Sequence, residues 1–380
     1  MAIHSLYIHI PFCAKRCHYC DFNTYEGQEG MAGDYVQALI QDLEQAARSG
    51  AAAVEGGLHS VYFGGGTPSL LEASQVDDLL KAVRRVLGLA PGAELTLEVN
   101  PGTANLEKFK ALRSAGINRL SFGFQAKQEK HLQALGRIHS SDESVAAWAL
   151  AREAGFDNLS LDLMFGLSEQ TLGEWQDSLD WALALRPEHI SFYGLTIEPG
   201  TRFHQWHEQG RLPVPGEDLQ ADMYELGVKA LAEAGLDQYE ISNFAQPGRS
   251  SVHNQFYWLN RDTLGLGAGA WSFVDGQRFS RSKMPSAYIQ EAKDGQPGKP
   301  QSESLQGAEA RAEAAFLNLR LNAGVDLDDW KRRYGVGLID EFGPKLEKSL
   351  KAGCLEQVGG RLRLTPSGRL LANEVFSALL

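Results

Sequence analysis

The sequence predicts an α/β protein in which a partial (β/α) barrel, similar to an incomplete TIM barrel, precedes a small C-terminal helical domain. Two observations favour the barrel. Short runs rich in β-branched and aromatic residues recur along the chain, namely SLYIHI, SVYFGG, LTLEVN, RLSFGF, LSLDLMFG, HISFYGLTI and DQYEISNF. Stretches with apolar residues at helical spacing, such as MAGDYVQALIQDLEQAAR and LGEWQDSLDWALAL, lie between them. Because fewer than eight clean βα units are visible, we expect a partial barrel and not a closed one.

The boundary of the barrel is predicted by a polar segment rich in Gly, Pro and Ser at 291–309, EAKDGQPGKPQSESLQGAE. This linker separates a barrel domain at 1–290 from a C-terminal domain at 306–380. The stretches EARAEAAFLNLRL and DLDDWKRRYG predict helices, and a short hairpin follows them, an order similar to a winged helix. Packing is a commoner role than DNA binding for such a domain, and we expect that role here.

Composition describes an ordinary folded chain of 380 residues, with 43% hydrophobic and 22% charged residues. The net charge of −12 argues against a general affinity for nucleic acid. The N-terminal residues MAIHSLYIHIPFC lack the features of a secretion signal, and no run of eighteen apolar residues occurs. We therefore expect a cytoplasmic protein without a transmembrane segment, in which clustered cysteines indicate a metal or catalytic site more often than a disulfide.

Three cysteines stand within eight residues, directly after the first predicted strand, at Cys13, Cys17 and Cys20. A structural zinc ion normally takes four ligands, and His9 or His18 could supply the fourth. A [4Fe-4S] cluster held by three thiolates instead leaves one iron open to a small molecule. Both interpretations place a metal centre on this loop.

Other candidate ligands stand at the predicted carboxyl ends of later strands, where ligands of parallel barrels bind. Gly64, Gly65 and Gly66 allow a ligand to approach the backbone, and Thr67 is placed to cap the next helix. Polar residues end or interrupt the following strands, and a cation stands in a later connection: Glu98, Gln125, Asp162 and Arg137. A single carboxylate in a strand is usually structural, but their recurrence at equivalent strand ends favours a common ligand.

The cysteine spacing on a βα array resembles the radical S-adenosylmethionine (SAM) superfamily. That resemblance implies a [4Fe-4S] cluster on Cys13, Cys17 and Cys20, whose open iron chelates SAM and whose reduced form passes it one electron. It also implies that Tyr19 lies near the adenine. Cys354 is isolated and is expected to be a small buried hydrophobe.

Within the superfamily the chain resembles the oxygen-independent coproporphyrinogen III oxidases and their near relatives. The stretches YIHIPFC, GGGTPS, NPGT, LGRIH, LDLMFGL, LTIEPGT, HNQFYW and LGLGAGA follow in the order of that family, and the tail LTPSGRLLANEVF also resembles it. The resemblance implies SAM contacts at Tyr7, Gly65, Gly66, Thr67, Glu98, Gln125, Arg137 and Asp162, with less secure matches at Thr196 and Trp271.

The nearest resemblance in this branch is to the HemW-type heme chaperones. The oxidases have a further cysteine two positions after the third and a longer N-terminal extension, whereas this chain has Phe22 there and twelve residues before Cys13. The chaperones carry a motif found here as His253, Asn254, Tyr257 and Trp258. A neutral imidazole can ligate heme iron, and the two aromatic side chains offer flat faces to a porphyrin.

Three departures from the family pattern are visible. Ser168 stands where proline is usual, GFQAK differs after the glutamine, and Trp271 replaces a histidine common in the chaperones. The last change affects the shape of the substrate side of the site, while the cysteine motif is intact.

The predicted function is therefore a radical SAM protein that binds heme near His253 and delivers it to hemoproteins. The implied partners are heme and recipient hemoproteins, with transient membrane association where a recipient is membrane-bound. The intact SAM positions leave two enzymatic alternatives open: anaerobic coproporphyrinogen III oxidation by decarboxylation, and radical SAM modification of heme. A zinc-stabilised binding protein is the remaining alternative.

Overall fold

A computed structural model describes residues 3–48, 54–295 and 302–379 of the chain. Its strands, in chain order, are β1 Ser5–Ile10, β2 Phe12–Cys13, β3 Tyr25–Glu26, β4 Leu58–Gly65, β5 Leu89–Val99, β6 Arg119–Gln125, β7 Leu159–Phe165, β8 His189–Gly194, β9 Asp237–Glu240, β10 Asn243–Ala245, β11 Thr263–Leu266, β12 Trp271–Val274, β13 Gln277–Ser280, β14 Ser302–Ser304, β15 Val325–Asp326, β16 Leu355–Val358 and β17 Arg361–Leu364.

The α-helices are α1 Ala32–Arg48, α2 Ala73–Val86, α3 Leu106–Ala115, α4 Glu129–Leu135, α5 Ser141–Glu153, α6 Leu172–Ala184, α7 Arg202–Glu208, α8 Glu217–Glu233, α9 Val252–Trp258, α10 Pro285–Lys293, α11 Gly307–Leu319, α12 Leu327–Tyr334, α13 Leu338–Lys351, α14 Pro366–Leu370 and α15 Ala372–Leu379. Short 3₁₀ helices cover Glu29–Met31 and Pro68–Leu70. None of the helices in the described ranges is both long and apolar enough to cross a membrane.

The barrel is a twelve-stranded sheet in the order β14-β13-β12-β11-β1-β4-β5-β6-β7-β8-β10-β9. Strands β11, β1 and β4 to β8 are parallel to one another, whereas antiparallel strands complete both ends of the sheet. No pairing joins β14 to β9 within the described residues, so the barrel is open. The partial (β/α) barrel predicted from the strand and helix pattern is thus confirmed.

Apolar and polar side chains alternate along most of the parallel strands, because one face of the sheet packs against the helices and the other lines the interior of the barrel. Leu120, Phe122 and Phe124 of β6 are fully buried and contact the same core as Leu161 of β7. Helices such as α5 begin at a capping box, here Ser140 with Glu143, which satisfies the first backbone donors of the helix.

Two strand predictions need correction. The run DQYEISNF was expected to continue the parallel units, but it forms the antiparallel pair β9 and β10. Since only two residues separate these strands, a helical crossover is impossible there. Strand β11, which pairs with β1 and extends the parallel part, was not predicted because its four residues, TLGL, carry no clear alternation.

The C-terminal part has a hydrophobic core of its own, which includes Leu319, Trp330, Leu346, Leu362 and Phe376. A helix, a short strand, two helices and a hairpin follow one another, and the three strands pair in the order β15-β17-β16. This is the winged-helix-like order that was predicted. Cys354 is buried in this core as expected. Residues 296–301 of the predicted linker lie outside the described residues.

Candidate functional site

The cysteine loop leaves β1 at the carboxyl edge of the sheet and closes one side of a cavity of about 150 Å³, which we call the thiol cavity. Its walls include the three cysteines Cys13, Cys17 and Cys20, all of which are free thiols. Because the loop and the ends of β4 to β7 meet at this edge, the cavity collects residues that lie far apart in sequence.

Backbone contacts hold the loop in place on both sides. His18 donates its backbone N–H to the carbonyl of Leu135 at 2.9 Å, and Phe203 donates to the carbonyl of His18 at 3.0 Å. The Arg16 guanidinium donates to the Cys20 carbonyl at 3.1 Å. The first two bonds come from the connections after β6 and β8, so the barrel itself positions the thiols.

The glycine run touches the loop so closely that larger residues would not fit. A Cβ atom at Gly66 would lie 3.0 Å from the Cys13 sulfur and 2.6 Å from the Phe12 carbonyl oxygen. Gly65 has φ of +114°, and a Cβ there would lie 2.4 Å from the His9 ring. Thr67 does not cap a helix with its side chain, contrary to expectation, because its hydroxyl faces the Cys13 sulfur at 3.8 Å.

The thiol set fits a multi-iron cluster better than a single zinc ion. Within the described part of the chain no three His, Cys, Asp or Glu side chains converge in an arrangement that would hold one metal ion. His9 uses both ring nitrogens, at 3.0 Å from the Tyr7 hydroxyl and 2.9 Å from the Asn23 carbonyl. Burial raises the pKa of the Cys13 thiol to about 11, so this ligand needs a cationic group beside it to lose its proton.

Arg137 joins the loop to the strand ends. Its guanidinium donates to the Gly123 carbonyl at 2.6 Å and to the Asn100 side chain, and it lies 3.5 Å from the Cys17 sulfur. Its buried Nε has no hydrogen-bond partner. A guanidinium donor left free beside the thiols suits a carboxylate-bearing ligand.

Glu98 and Asp162 face the same space from β5 and β7. Burial raises the pKa of Glu98 to about 7 and that of Asp162 to about 6. Glu98 accepts hydrogen bonds from the Tyr62 hydroxyl at 2.8 Å and from the Gly65 N–H at 3.1 Å. Gln125 ends β6 with φ of +70°, a left-handed conformation that is costly for a side-chain-bearing residue and is typical of ligand sites.

A second space, which we call the middle cavity, continues from the thiol cavity and measures about 330 Å³. Tyr19, Glu98, Gln125 and Asp162 line both. Thr196 also lines the middle cavity, as does Arg119, which is 2% exposed.

A third space of about 540 Å³, the aromatic cavity, lies between the barrel and α11. It is lined by all four residues of the predicted heme motif, His253, Asn254, Tyr257 and Trp258. Tyr7 and Trp271 line this cavity and not the thiol cavity, and they share its wall with Glu98, another predicted SAM contact. Glu98 lines all three cavities and therefore stands where they meet.

His253 is 1% exposed and sits at the start of α9, where Glu94 accepts its backbone N–H at 3.2 Å. Its Nδ1 lies 3.0 Å from the Ser60 hydroxyl, while its Nε2 is buried without a hydrogen-bond partner. Burial lowers the pKa of His253 to about 3, so the ring is neutral at physiological pH. Tyr62 stacks on the ring at a centroid distance of 5.0 Å, and Tyr257 meets it edge-on at 5.1 Å.

Several wall residues were missed from the sequence. Asn100, Tyr62 and Arg119 come from strand ends or strand interiors, and Glu240 and Arg320 come from the far side of the aromatic cavity. Arg119 had a usable signal, because an arginine inside the apolar run NRLSFGF must be buried with the strand. Asn100 had one as well, because it ends the predicted strand LTLEVN. Tyr62, Glu240 and Arg320 carry no such signal.

Comparison with known proteins agrees with this geometry. Residues 7–182 match the family described as the radical SAM superfamily, and residues 305–371 match the HemN C-terminal domain. The fold is similar to coproporphyrinogen III oxidase (HemN) from Escherichia coli, a radical SAM enzyme, with a TM-score of 0.84, 24% identity and coverage of 100% of this chain and 90% of that chain. At that identity the likeness shows the fold alone. The cysteine loop on this partial barrel thus defines a radical SAM protein.

Curated relatives narrow the class. Heme chaperone HemW from Bacillus subtilis (strain 168) is 39% identical over 379 residues, which are 99% of this chain and 99% of the relative. Heme chaperone HemW from Escherichia coli (strain K12) is 36% identical over 389 residues, covering 99% and 98%. The chain belongs to the HemW heme chaperone family. Its radical SAM class implies a [4Fe-4S] cluster and SAM.

Proposed function

We propose that the protein is a heme chaperone that binds heme in the aromatic cavity and delivers it to recipient hemoproteins. One observation carries the proposal: a neutral histidine, His253, lies in the wall of a cavity of about 540 Å³ with Nε2 free of any hydrogen-bond partner. Family membership at 39% identity over 99% of both chains supports it. The proposed location is the reducing cytoplasm, because three clustered free thiols suit that compartment.

The thiol cavity has a separate role in this proposal. Cys13, Cys17 and Cys20 hold the [4Fe-4S] cluster, which when bound supplies an electron to SAM. The free Nε of Arg137 binds the SAM carboxylate, and the part of the cavity wall formed by Gly65 and Gly66 receives its amino group. The middle cavity, bounded by Tyr19, Gln125, Asp162 and Thr196, holds the rest of the molecule.

Ser60 prepares His253 for iron. When its hydroxyl accepts the Nδ1 proton at 3.0 Å, the lone pair lies on Nε2, the nitrogen that has no partner. The ring is covered in the described conformation, with Tyr62 on its face and Tyr257 at its edge. Ligation therefore requires a shift of Tyr257, a residue that is 38% exposed.

The test is a heme titration of the anaerobically reconstituted protein, followed by absorbance, with coproporphyrinogen III decarboxylation assayed in the same preparation with SAM and a reductant. We expect saturable binding of one heme per chain and no decarboxylated product. Product formation would instead assign the protein to the oxidases and show that the extra cysteine replaced by Phe22 is dispensable. Absence of saturable binding with a fully loaded cluster would overturn the chaperone proposal.

A further inference from the structure

The C-terminal part of the chain supplies one wall of the aromatic cavity. Helix α11 and the residue that follows it contribute Glu313, Leu317 and Arg320, opposite the motif residues of α9. Asn318 donates to the Trp258 carbonyl at 2.8 Å, so the wall is fixed directly on the heme motif. A ligand bound here would contact residues of both the barrel and the C-terminal part of the chain.

Arg320 is held in this wall without a full set of hydrogen-bond partners. Its guanidinium lies 4.4 Å from the centroid of the Trp258 ring and 3.7 Å from a carboxylate oxygen of Glu240, beyond hydrogen-bond distance. Its Nε is buried and has no acceptor. Glu240 meanwhile satisfies its other oxygen through Ser242 and Asn243, so it holds Arg320 only loosely.

The other two arginines of the cavity differ from Arg320. Arg278 donates directly to the Glu313 carboxylate, and this pair engages its guanidinium. Arg261 makes no ion pair within the described part of the chain. Unlike Arg320, it also has no aromatic ring or carboxylate there that fixes its orientation. Arg320 alone combines a fixed position over a ring with an unused buried donor.

The contact with Arg320 also changes the expected role of Trp258. The sequence predicts that this ring offers a flat apolar face to the porphyrin, yet one face is covered by the guanidinium at 4.4 Å. A cation held against an indole in a partly dry site is worth roughly 1 to 2 kcal/mol. Trp258 is thus placed to hold the arginine.

We propose that Arg320 binds a propionate carboxylate of the porphyrin and that Trp258 is the positioning residue that holds it there. This inference rests on the proposed heme-binding function. A planar carboxylate can accept from Nε and a terminal nitrogen of one guanidinium at once, which is the geometry that Glu240 does not reach. The cavity therefore selects porphyrins with a free carboxylate.

The test compares two ligands, heme and its dimethyl ester, in which both carboxylates are uncharged. Binding of each to the reconstituted wild-type protein and to Arg320→Met is measured by absorbance titration. We expect the wild-type protein to bind heme about ten- to a hundredfold more tightly than the ester, as for a hydrogen bond to a charged group. Arg320→Met is expected to remove this preference by weakening heme while leaving the ester unchanged.

Three further variants distinguish carboxylate binding by Arg320 from a general structural effect. Arg311→Met removes another arginine of α11, which pairs with Glu341 outside the cavity, and should keep the full preference. If Arg320→Met fails to fold because Glu240 is left as an unpaired buried carboxylate, the double variant Arg320→Met/Glu240→Gln removes that charge. Trp258→Leu should retain part of the preference for heme over its ester, since the Arg320 guanidinium remains but no longer has an aromatic ring beside it.

The outcomes separate the two proposals. Equal wild-type affinity for heme and its ester would overturn the role of Arg320 and leave heme binding intact. Equal weakening of both ligands by Arg320→Met would also overturn it, because a general packing role would then explain the loss. Failure of the wild-type protein to bind either ligand would refute the proposed function itself.

Discussion

The thiol cavity and the aromatic cavity are built in different ways. The thiols come from one short loop pinned by the barrel, and among the described wall residues only Thr24 and Arg137 have a buried polar atom without a partner. The aromatic cavity has five such residues in its wall: Glu240, Asn243, His253, Trp258 and Arg320. The C-terminal part of the chain also supplies one of its walls, whereas the thiol cavity is lined by residues of the barrel.

This difference suits two kinds of ligand. A resident group needs a rigid frame that is complete around it, and the thiol loop provides one. Each buried polar atom without a hydrogen-bond partner lowers the free energy of unfolding by about 1 to 3 kcal/mol. A ligand that binds transiently in the aromatic cavity can supply the missing partners. The comparison predicts that changes in one cavity affect its own ligand most and leave the other ligand largely bound.

The largest expected effect is the loss of the cluster in Cys13→Ala. Removing one of three thiolates leaves too few protein ligands, so iron and sulfide content should fall from roughly four of each per chain to near zero. The measurement is chemical analysis of iron and sulfide after anaerobic reconstitution. Heme affinity, titrated in the same sample, is expected to change by less than about threefold, since the aromatic cavity contains none of these thiols.

Cys354→Ala is the matched control for this variant. Cys354 is also buried and free, but it packs in the C-terminal core and should leave the metal content unchanged. Retention of full iron and sulfide in Cys13→Ala would refute the ligand assignment. A collapse of heme affinity together with the cluster would show that the two cavities do not act separately.

The next largest effect is expected from His253→Ala. If Nε2 ligates iron, heme affinity should fall by more than the roughly 10- to 100-fold that loss of an outer-shell partner costs. The heme absorbance spectrum should also change, because the axial nitrogen is gone. Iron and sulfide content are expected to stay at the wild-type level.

His189→Ala tests whether the loss at His253 reflects ligation or packing. His189 is equally buried, but both of its nitrogens have partners, the Ser160 hydroxyl at 2.8 Å and the Tyr239 hydroxyl at 2.9 Å. This variant should lower the thermal unfolding midpoint and retain the heme spectrum. An unchanged spectrum in His253→Ala, or an equal loss of heme in both variants, would exclude His253 as the ligand.

A smaller effect is expected from Ser60→Ala. This change removes the oxygen 3.0 Å from Nδ1 of His253. The proton is then no longer fixed on Nδ1, although the His253 side chain itself remains. Heme affinity should fall by roughly tenfold, the lower end of the range for an outer-shell partner, with little change in the spectrum. The measurement is the same absorbance titration, and an affinity equal to wild type would mean that Ser60 does not orient the ring.

The two cavities also differ in how far the sequence predicts them. Cys13, Cys17 and Cys20 form a local motif after a strand, and Glu98 and Asp162 end or interrupt strands whose apolar pattern is clear, so their meeting at one edge follows from the parallel sheet. The structure places all five around the thiol cavity.

The far wall of the aromatic cavity could not be predicted in the same way. Arg320 meets Trp258 only because α11 packs against α9, and the two residues are separated by a linker whose path no residue pattern defines. The sequence pattern predicts Glu240 in a parallel strand. In the structure β9 and β10 form an antiparallel pair, and Glu240 at the end of β9 lines the cavity. Long-range packing and register, which have no local signature, account for these misses.

The last prediction concerns pH, and it tests whether Glu98, which lines all three cavities, is protonated in the protein without a ligand. Its pKa is raised by burial from 4.5 to about 7, so the native state binds a proton that the unfolded state releases in this window. The free energy of unfolding should therefore fall as pH rises from about 4.5 to about 7 and level off above it, with a total change on the order of 3 kcal/mol or less. In Glu98→Gln, the free energy of unfolding should fall much less over the same pH range. It is measured by thermal or denaturant unfolding of the protein without SAM. Asp162, whose burial raises its pKa to about 6, accounts for the slope that remains, and a variant that keeps the whole wild-type slope would show that Glu98 is ionised throughout.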